Sequence, residues 1–151
     1  MNLRDIRNSV IAFMARYGIA CLRYSLAIIF IWFGILKPFN LSPVEDLVKA
    51  TIYWVEDKEL FFNIIGWWEV AIGVCLLFRP LVPFGLILLA LQLPGTFLPL
   101  VVLPEVCFIK FPYALSTEGE FIIKNLLIIS AGLVIGGSLK MSIFNRENKK
   151  V

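Results

Sequence analysis

Four long runs of apolar residues, separated by short polar or proline-containing segments, dominate this chain. They cover residues 17–37, 61–79, 81–104 and 121–139, to within a few positions. A helix needs about 20 apolar residues to cross the hydrocarbon core of a bilayer, so each run is long enough to do so. The pattern predicts an all-α membrane protein, with residues 1–151 forming a single domain that is a four-transmembrane-helix bundle.

Two shorter amphipathic segments flank the first run. In the N-terminal segment the apolar residues recur at helical spacing, at Leu3, Ile6, Val10, Phe13, Met14 and Tyr17. Ser42 and Pro43 are typical of a helix N-terminus, and Glu45 is placed to complete a capping box. We predict an N-terminal amphipathic helix on one membrane surface and a short interfacial helix in the first outer loop. A second capping box, at Thr117 and Glu120, is predicted before the fourth span.

The third and fourth runs contain residues that modify a straight helix. Pro94 cannot donate a backbone hydrogen bond and Gly95 is flexible, so the outer half of the third helix is predicted to be kinked or partly unwound. In the fourth run, Gly132 and Gly136 have the GxxxG spacing that permits close packing between helices.

The composition and the charges support the same interpretation. Of the 151 residues 60% are hydrophobic and 17% charged, and the mean hydropathy of +0.87 is too high for a soluble domain. The two ends of the chain and the link around Arg79 contain eight Lys or Arg against two acids, whereas the other two connections contain four against eight. We expect a bacterial inner-membrane protein, and the positive-inside rule then places both termini on the cytoplasmic side of that membrane. The partners expected are the lipid bilayer, with anionic headgroups at the basic termini, and no nucleic acid.

Several chemistries are unsupported by the residues present. The chain has no histidine, and its cysteines, Cys21, Cys75 and Cys107, form no CxxC pair. A histidine-ligated haem or zinc site therefore cannot be built from this chain alone, and a dithiol oxidoreductase motif is missing. No metal site and no catalytic residue is predicted.

Three charged residues lie within the predicted spans and away from their last positions. Glu69 lies in the middle of the second run, where an ionised carboxylate costs at least about 2.5 kcal/mol unless it finds a partner. The other two, Arg23 in the first run and Lys124 in the fourth, are basic. We predict an intramembrane charge cluster of Arg23, Glu69 and Lys124 that faces the bundle interior. Depth along the helices leaves open which of the two cations pairs with Glu69.

A candidate ligand pocket surrounds the same carboxylate. Five residues are expected at a similar depth: Trp67, Trp68, Glu69, Gln92 and Thr96. The tryptophans could stack on a flat apolar ring such as a quinone, while the carboxyl or amide group bonds a ring oxygen. The alternative is that the tryptophans are interface anchors and that the polar side chains bond to neighbouring helices.

Four stretches of the sequence resemble the DoxX-like superfamily of small four-helix membrane proteins, and within it the YkgB/RclC-like family. They are RYSLAIIFIWFGILK, GWWEVAIGVCLL, GTFLPLVVLPEVCF and PYALSTEGEFIIKNLLIISAGLVIGG. On this resemblance, the residues that fall on family pattern positions are Arg23, Gly34, Lys37, Glu69 and Lys124. The chain departs from some relatives in having no histidine and no longer outer loop.

The resemblance implies a role in redox or oxidant stress. Some members of the superfamily resemble subunits of quinone-coupled oxidoreductases, and others are linked to survival of reactive chlorine species. We therefore expect an accessory membrane subunit linked to the stress response, which is not an enzyme by itself and associates with a partner subunit or as a homo-oligomer. The alternatives are a quinone-linked oxidoreductase subunit, with quinone as its cofactor, and a small transporter component.

Overall fold

Four long helices form the molecule. The structure, a computed structural model, describes the backbone of residues 3–147 and the side-chain surroundings of residues 3–139. It is 80% helical, and its elements are α1 Leu3–Leu36, α2 Glu45–Thr51, α3 Lys58–Leu77, α4 Val82–Phe97, α5 Pro99–Val102, α6 Pro104–Cys107, β1 Phe108–Lys110, β2 Ala114–Leu115, α7 Thr117–Ile123 and α8 Asn125–Glu147.

Four segments are long and apolar enough to cross a membrane: Leu3–Leu36, Lys58–Leu77, Arg79–Val102 and Thr117–Leu139. They agree with the predicted all-α bundle, in which four helices are long and apolar enough to span a membrane. One buried core joins them, with contributions from α1, α3, α4 and α8, namely Leu26, Ala27, Phe30, Ile72, Leu76, Val82, Leu89, Ala131 and Ile135.

Helix α1 is a single continuous helix where the sequence predicted a surface helix followed by a span. Nothing between Leu3 and Leu36 forces a break, because this stretch has no proline and its one glycine before Gly34, Gly18, is tolerated. At 1.5 Å per residue the helix is about 50 Å long, which exceeds the hydrocarbon thickness of about 30 Å. It ends at Leu36 because Pro38 cannot continue the backbone ladder.

The α1–α3 interface is built on small residues that bring the two backbones into contact. A Cβ atom added to Gly34 would lie 2.7 Å from the carbonyl oxygen of Gly66, and one added to Gly73 would lie 2.7 Å from that of Ala27. The two residues on each helix are seven apart, so they share one helix face. Side chains larger than hydrogen at the glycine positions would push the helices apart.

Helix α8 packs less closely than the GxxxG spacing suggests. The positions of a Cβ on Gly132 and Gly136 meet only the tips of Leu86 and Leu89, at 3.3–3.7 Å. An apolar groove of about 400 Å³ remains between α4 and α8. The glycine pair thus faces leucine side chains of α4 and not a helix backbone.

The contacts of α1 fix the relative depth of the polar residues. Arg23 donates hydrogen bonds to the carbonyl oxygens of Leu76 (2.9 Å) and Leu77 (3.1 Å), so it lies level with the end of α3. Glu69 lies about 12 Å from Leu77 and about 16 Å from Lys58 along α3, which places it near the middle of that span. By the same rise, α1 ends about 9 Å short of the level of Lys58.

Helix α2 is fastened to the start of α3 by charge. Lys49 bonds to the carboxylates of Glu45 and Glu59, and its pKa is raised by these hydrogen bonds. The predicted capping box at Ser42 does not form, because Val44 is the N-cap residue and Glu45 is engaged by Lys49.

The third span and the loop after it differ from the predicted bounds. The helix continues through Pro94 and Gly95 to Phe97, and the interruptions lie later, at Leu98 and Leu103. Each of these two leucines precedes a proline, which disfavours helical backbone at the preceding position. A short antiparallel hairpin of β1 and β2 follows.

The N-cap residue of the fourth span lies one position before the residue that the sequence predicted. Ser116, and not Thr117, is the N-cap, and its hydroxyl accepts a hydrogen bond of 3.1 Å from the amide of Gly119. The span is divided at Lys124 into α7 and α8.

Candidate functional site

A buried polar network occupies the middle of the bundle, centred on Glu69. One carboxylate oxygen, Oε2, accepts a hydrogen bond from Nζ of Lys37, and the other, Oε1, accepts one of 2.8 Å from Nε2 of Gln92. The exposed fractions of the Lys37 and Glu69 side chains are 6% and 12%. The network therefore links the end of α1 to α3 and α4 inside the apolar layer.

The predicted partners of Glu69 were wrong. Arg23 bonds to backbone carbonyls at the end of α3 and lies 4.5 Å over the ring of Tyr24, because it is level with the helix end and not with Glu69. Lys124 pairs with Glu120 one turn earlier on its own chain segment, at 3.6 Å, and both side chains are about 60% exposed. The structure does not bring Arg23, Glu69 and Lys124 together.

Lys37 is the residue that the charge analysis missed. It occupies the last position of the first predicted span, where a lysine normally reaches the membrane surface. In the structure α1 ends at Leu36, about 9 Å short of the level at which α3 begins, and the lysine that follows is buried. Two sequence signals pointed to it: Pro38, which ends the helix early, and the resemblance, which includes Lys37 among the family positions.

The glycine contact explains why Lys37 and Glu69 are adjacent. The position of a Cβ on Gly66 lies 2.8 Å from Cβ of Lys37, and that on Gly34 lies 3.0 Å from Cβ of Glu69. Each charged residue follows the glycine of its own helix by three positions, which is about one turn. Because α1 and α3 run antiparallel, Lys37 and Glu69 lie on opposite sides of the glycine contact along the helix axes. Side chains tilt toward the N-terminus of their own helix, so these two lean toward each other and their charged ends meet.

The network also holds α3 against α4. Trp68 donates a hydrogen bond of 3.2 Å from its indole nitrogen to the carbonyl oxygen of Leu88, and Thr96 donates one of 3.3 Å to the carbonyl oxygen of Gln92. Trp67 points away, with an exposed fraction of 60%. Of the five predicted pocket residues, Glu69 and Gln92 touch directly and Trp68 bonds to the same helix that carries Gln92.

One acceptor in the network has no donor. Oε1 of Gln92 is buried, and no hydrogen-bond partner for it is found within the described part of the chain. Exchanging the oxygen and nitrogen of the Gln92 side-chain amide would not resolve this, because the oxygen would then face the carboxylate of Glu69 with no proton between the two acceptors. The oxygen of Gln92 can therefore accept a hydrogen bond from one more donor.

The third helix is not interrupted at Pro94 and Gly95, where the sequence predicted a kink or an unwound segment beside the pocket. Both residues are helical and exposed, and no atom lies within 4 Å of a Cβ position on Gly95. The interruption at Leu98 lies nearly two turns beyond Gln92. The ligand pocket itself stays a prediction.

The cysteines are free, and they lie apart from the charged network. Cys21 is exposed, whereas Cys75 and Cys107 are buried. Burial raises the pKa of the Cys107 thiol, and the nearby charges of Glu118 and Glu105 raise it further. A raised pKa leaves less thiolate at neutral pH, which makes this thiol a poor nucleophile. Among the residues that the structure describes, no cluster of three or more Cys, Asp or Glu side chains could hold a metal ion.

Comparisons with protein-family models, with curated proteins and with solved structures found no match to this chain. Its role is therefore inferred from the buried network and from the sequence patterns described above.

Proposed function

We propose that this chain is a multi-pass inner-membrane protein of the DoxX-like, YkgB/RclC-like type, which serves as a non-catalytic accessory subunit in the response to oxidants. The observation that supports this most is that both oxygens of Glu69 are occupied by donors of the same chain, Lys37 and Gln92. A carboxylate that performs chemistry must reach a substrate or exchange a proton, whereas both oxygens of this one already accept hydrogen bonds from its own chain. Its effect is to connect three helices.

The accessory role predicts a stable partner. The tagged chain, extracted from bacterial membranes in a mild detergent, should co-purify with another membrane protein at a fixed stoichiometry. Bacteria in which the gene for this chain is deleted should survive exposure to hypochlorous acid less well. The purified chain alone should show no quinone reductase activity. Recovery of the chain without a partner, together with unchanged survival, would contradict the proposal.

The proposed orientation has both termini in the cytoplasm, as the distribution of basic residues indicates. Alkaline phosphatase fused after residue 151 should be inactive, because that enzyme needs an oxidising compartment. The same enzyme inserted after Tyr113, in the β1–β2 hairpin, should be active. The opposite pair of results would reverse the orientation.

A second candidate function, binding of a reduced quinone, is supported by the unpaired oxygen of Gln92. An oxidised quinone offers only acceptors, so it cannot supply a donor to this oxygen. A quinol carries hydroxyl groups, so it supplies the donor that Oε1 of Gln92 lacks. The site thus fits the reduced form of the ring better than the oxidised form.

Retention of quinol by the purified protein tests this candidate. Gln92→Leu removes the oxygen with little change in volume and should lower bound quinol about tenfold, which corresponds to one lost hydrogen bond. Thr96→Val is the matched control, since Thr96 bonds only to a backbone carbonyl one turn away and retention should not change. Equal retention in wild type and Gln92→Leu, with both proteins folded, would exclude the site.

A further inference from the structure

The first half of α1 stands apart from the rest of the molecule. All residues from 3 to 19 are exposed, and no atom lies within 4 Å of a Cβ position on Gly18. We call residues 3–17 the N-terminal arm. Six of its exposed apolar side chains form one stripe, made of Leu3, Ile6, Val10, Phe13, Met14 and Tyr17, and a seventh, Ile11, lies outside it.

A straight α1 holds this stripe in water. Arg23 is level with the end of α3, and Arg79 lies two residues after that end, so the apolar layer ends at about this depth. Leu3 lies 20 residues beyond Arg23, or about 30 Å along the helix. An apolar stripe of that length left in water is unfavourable, and such a surface usually marks a contact with a membrane or a protein.

The direction of the stripe identifies the contact as the membrane. Val10, Tyr17 and Tyr24 are spaced by seven, so the stripe continues in phase into the exposed, lipid-facing side of the span, where Ile28 also lies. The buried residues of α1, such as Arg23 and Ala27, occupy the other side. If the arm tips away from the bundle, the side that turns toward the bilayer is therefore the one carrying the stripe.

The charges of the arm suit an anionic surface. Arg4, Arg7 and Arg16 outnumber the single acid, Asp5, which gives the arm a net charge of +2. Basic residues beside an apolar stripe are typical of helices that lie at the level of anionic headgroups. The attraction adds to the burial of the stripe, and both favour the same orientation.

We propose that the N-terminal arm bends away from the bundle at Gly18 and docks along the anionic surface of the membrane that the four helices cross, with its apolar stripe toward the acyl chains. Gly18 is suited to the bend because it has the weakest helix propensity in this stretch and because no neighbour restricts it. The docked arm holds the start of α1 in the plane of the membrane, which the accessory role proposed above does not require.

Fluorescence quenching by lipids tests the docking. The full-length chain, with Cys21, Cys75 and Cys107 replaced by Ala, carries a single bimane label at Val10→Cys or at the matched position Asn8→Cys. The two sites are two residues apart and lie on nearly opposite sides of the helix, about 200° around it. Each protein is reconstituted in nanodiscs of phosphatidylcholine with 30% phosphatidylglycerol, with a fraction of the lipids brominated near the glycerol end of the acyl chains.

We expect quenching at residue 10 to be at least about threefold stronger than at residue 8, and the ratio to fall in phosphatidylcholine alone. Equal quenching at the two sites would overturn the proposal. Weak quenching at residue 10 combined with energy transfer between labelled copies would assign the stripe to a second copy instead. Gly18→Ala, which adds a methyl group in open space, should lower the ratio by stiffening the helix, and an unchanged ratio would contradict the bend at Gly18.

Discussion

Replacing Lys37 with Ala should destabilise the bundle by about 3–5 kcal/mol, because it leaves the carboxylate of Glu69 buried with only Gln92 as a donor. Glu69→Ala should have an effect of similar size, since it leaves the ammonium group of Lys37 unpaired at low exposure. The loss is measured as the shift in the midpoint of thermal unfolding in detergent, followed by tryptophan fluorescence.

Two comparisons make this prediction specific to the buried pair. Lys124→Ala removes a lysine from an exposed pair and should change stability by less than about 1 kcal/mol. The double variant Lys37→Met/Glu69→Met should be more stable than either Ala variant, because no charge is left unpaired. If Lys37→Ala and Lys124→Ala shift the midpoint equally, Lys37 is not the partner that stabilises Glu69.

Gly34→Ala should destabilise the protein by about 1–3 kcal/mol although it adds only one methyl group. The added Cβ would lie 2.7 Å from the carbonyl oxygen of Gly66 and 2.8 Å from the amide nitrogen of Val70. Both atoms are backbone, so the collision can be relieved only by moving α1 away from α3. That movement also stretches the bond between Lys37 and Glu69. The thermal midpoint in detergent reports the loss.

The matched control is Gly95→Ala, the same substitution on an exposed helix face with no atom within 4 Å. It should be neutral or stabilising by up to about 1 kcal/mol, since Ala favours helix over Gly. A loss at Gly95 as large as that at Gly34 would mean that glycine flexibility, and not close packing, determines stability.

The number and type of the spans could be predicted because hydropathy and length decide them. What each span faces could not, because a uniformly apolar helix has no polar side to mark its exterior. The energetic cost of an ionised carboxylate inside the bilayer showed that Glu69 needs a partner, but this cost does not identify the partner. Gln92 was placed near Glu69 by counting residues along two helices, and the structure shows them bonded.

The partner of Glu69 was missed because the depth estimate assumed that every span crosses the whole layer. Helix α1 ends early, so Lys37 lies deeper than a lysine at a span boundary would, and Arg23 lies at the very end of α3. The cap of α7 shows the same limit at smaller scale. Ser116 and Thr117 have equivalent hydroxyl groups, and only the backbone geometry selects Ser116.

The pairing of Lys37 with Glu69 has a consequence for biogenesis. When α1 emerges first from the ribosome, Lys37 has no acid at its own depth, and its ammonium group is most stable among the headgroups. Helix α3 is synthesised later, and its Glu69 lies near the middle of the span, where the side chain is too short to reach either membrane surface. Entry of α3 is therefore favoured when α1 is still beside it, as a hairpin whose two charges cancel. We therefore expect pairing to draw the end of α1 inward, so that its final depth depends on a residue synthesised 32 positions later.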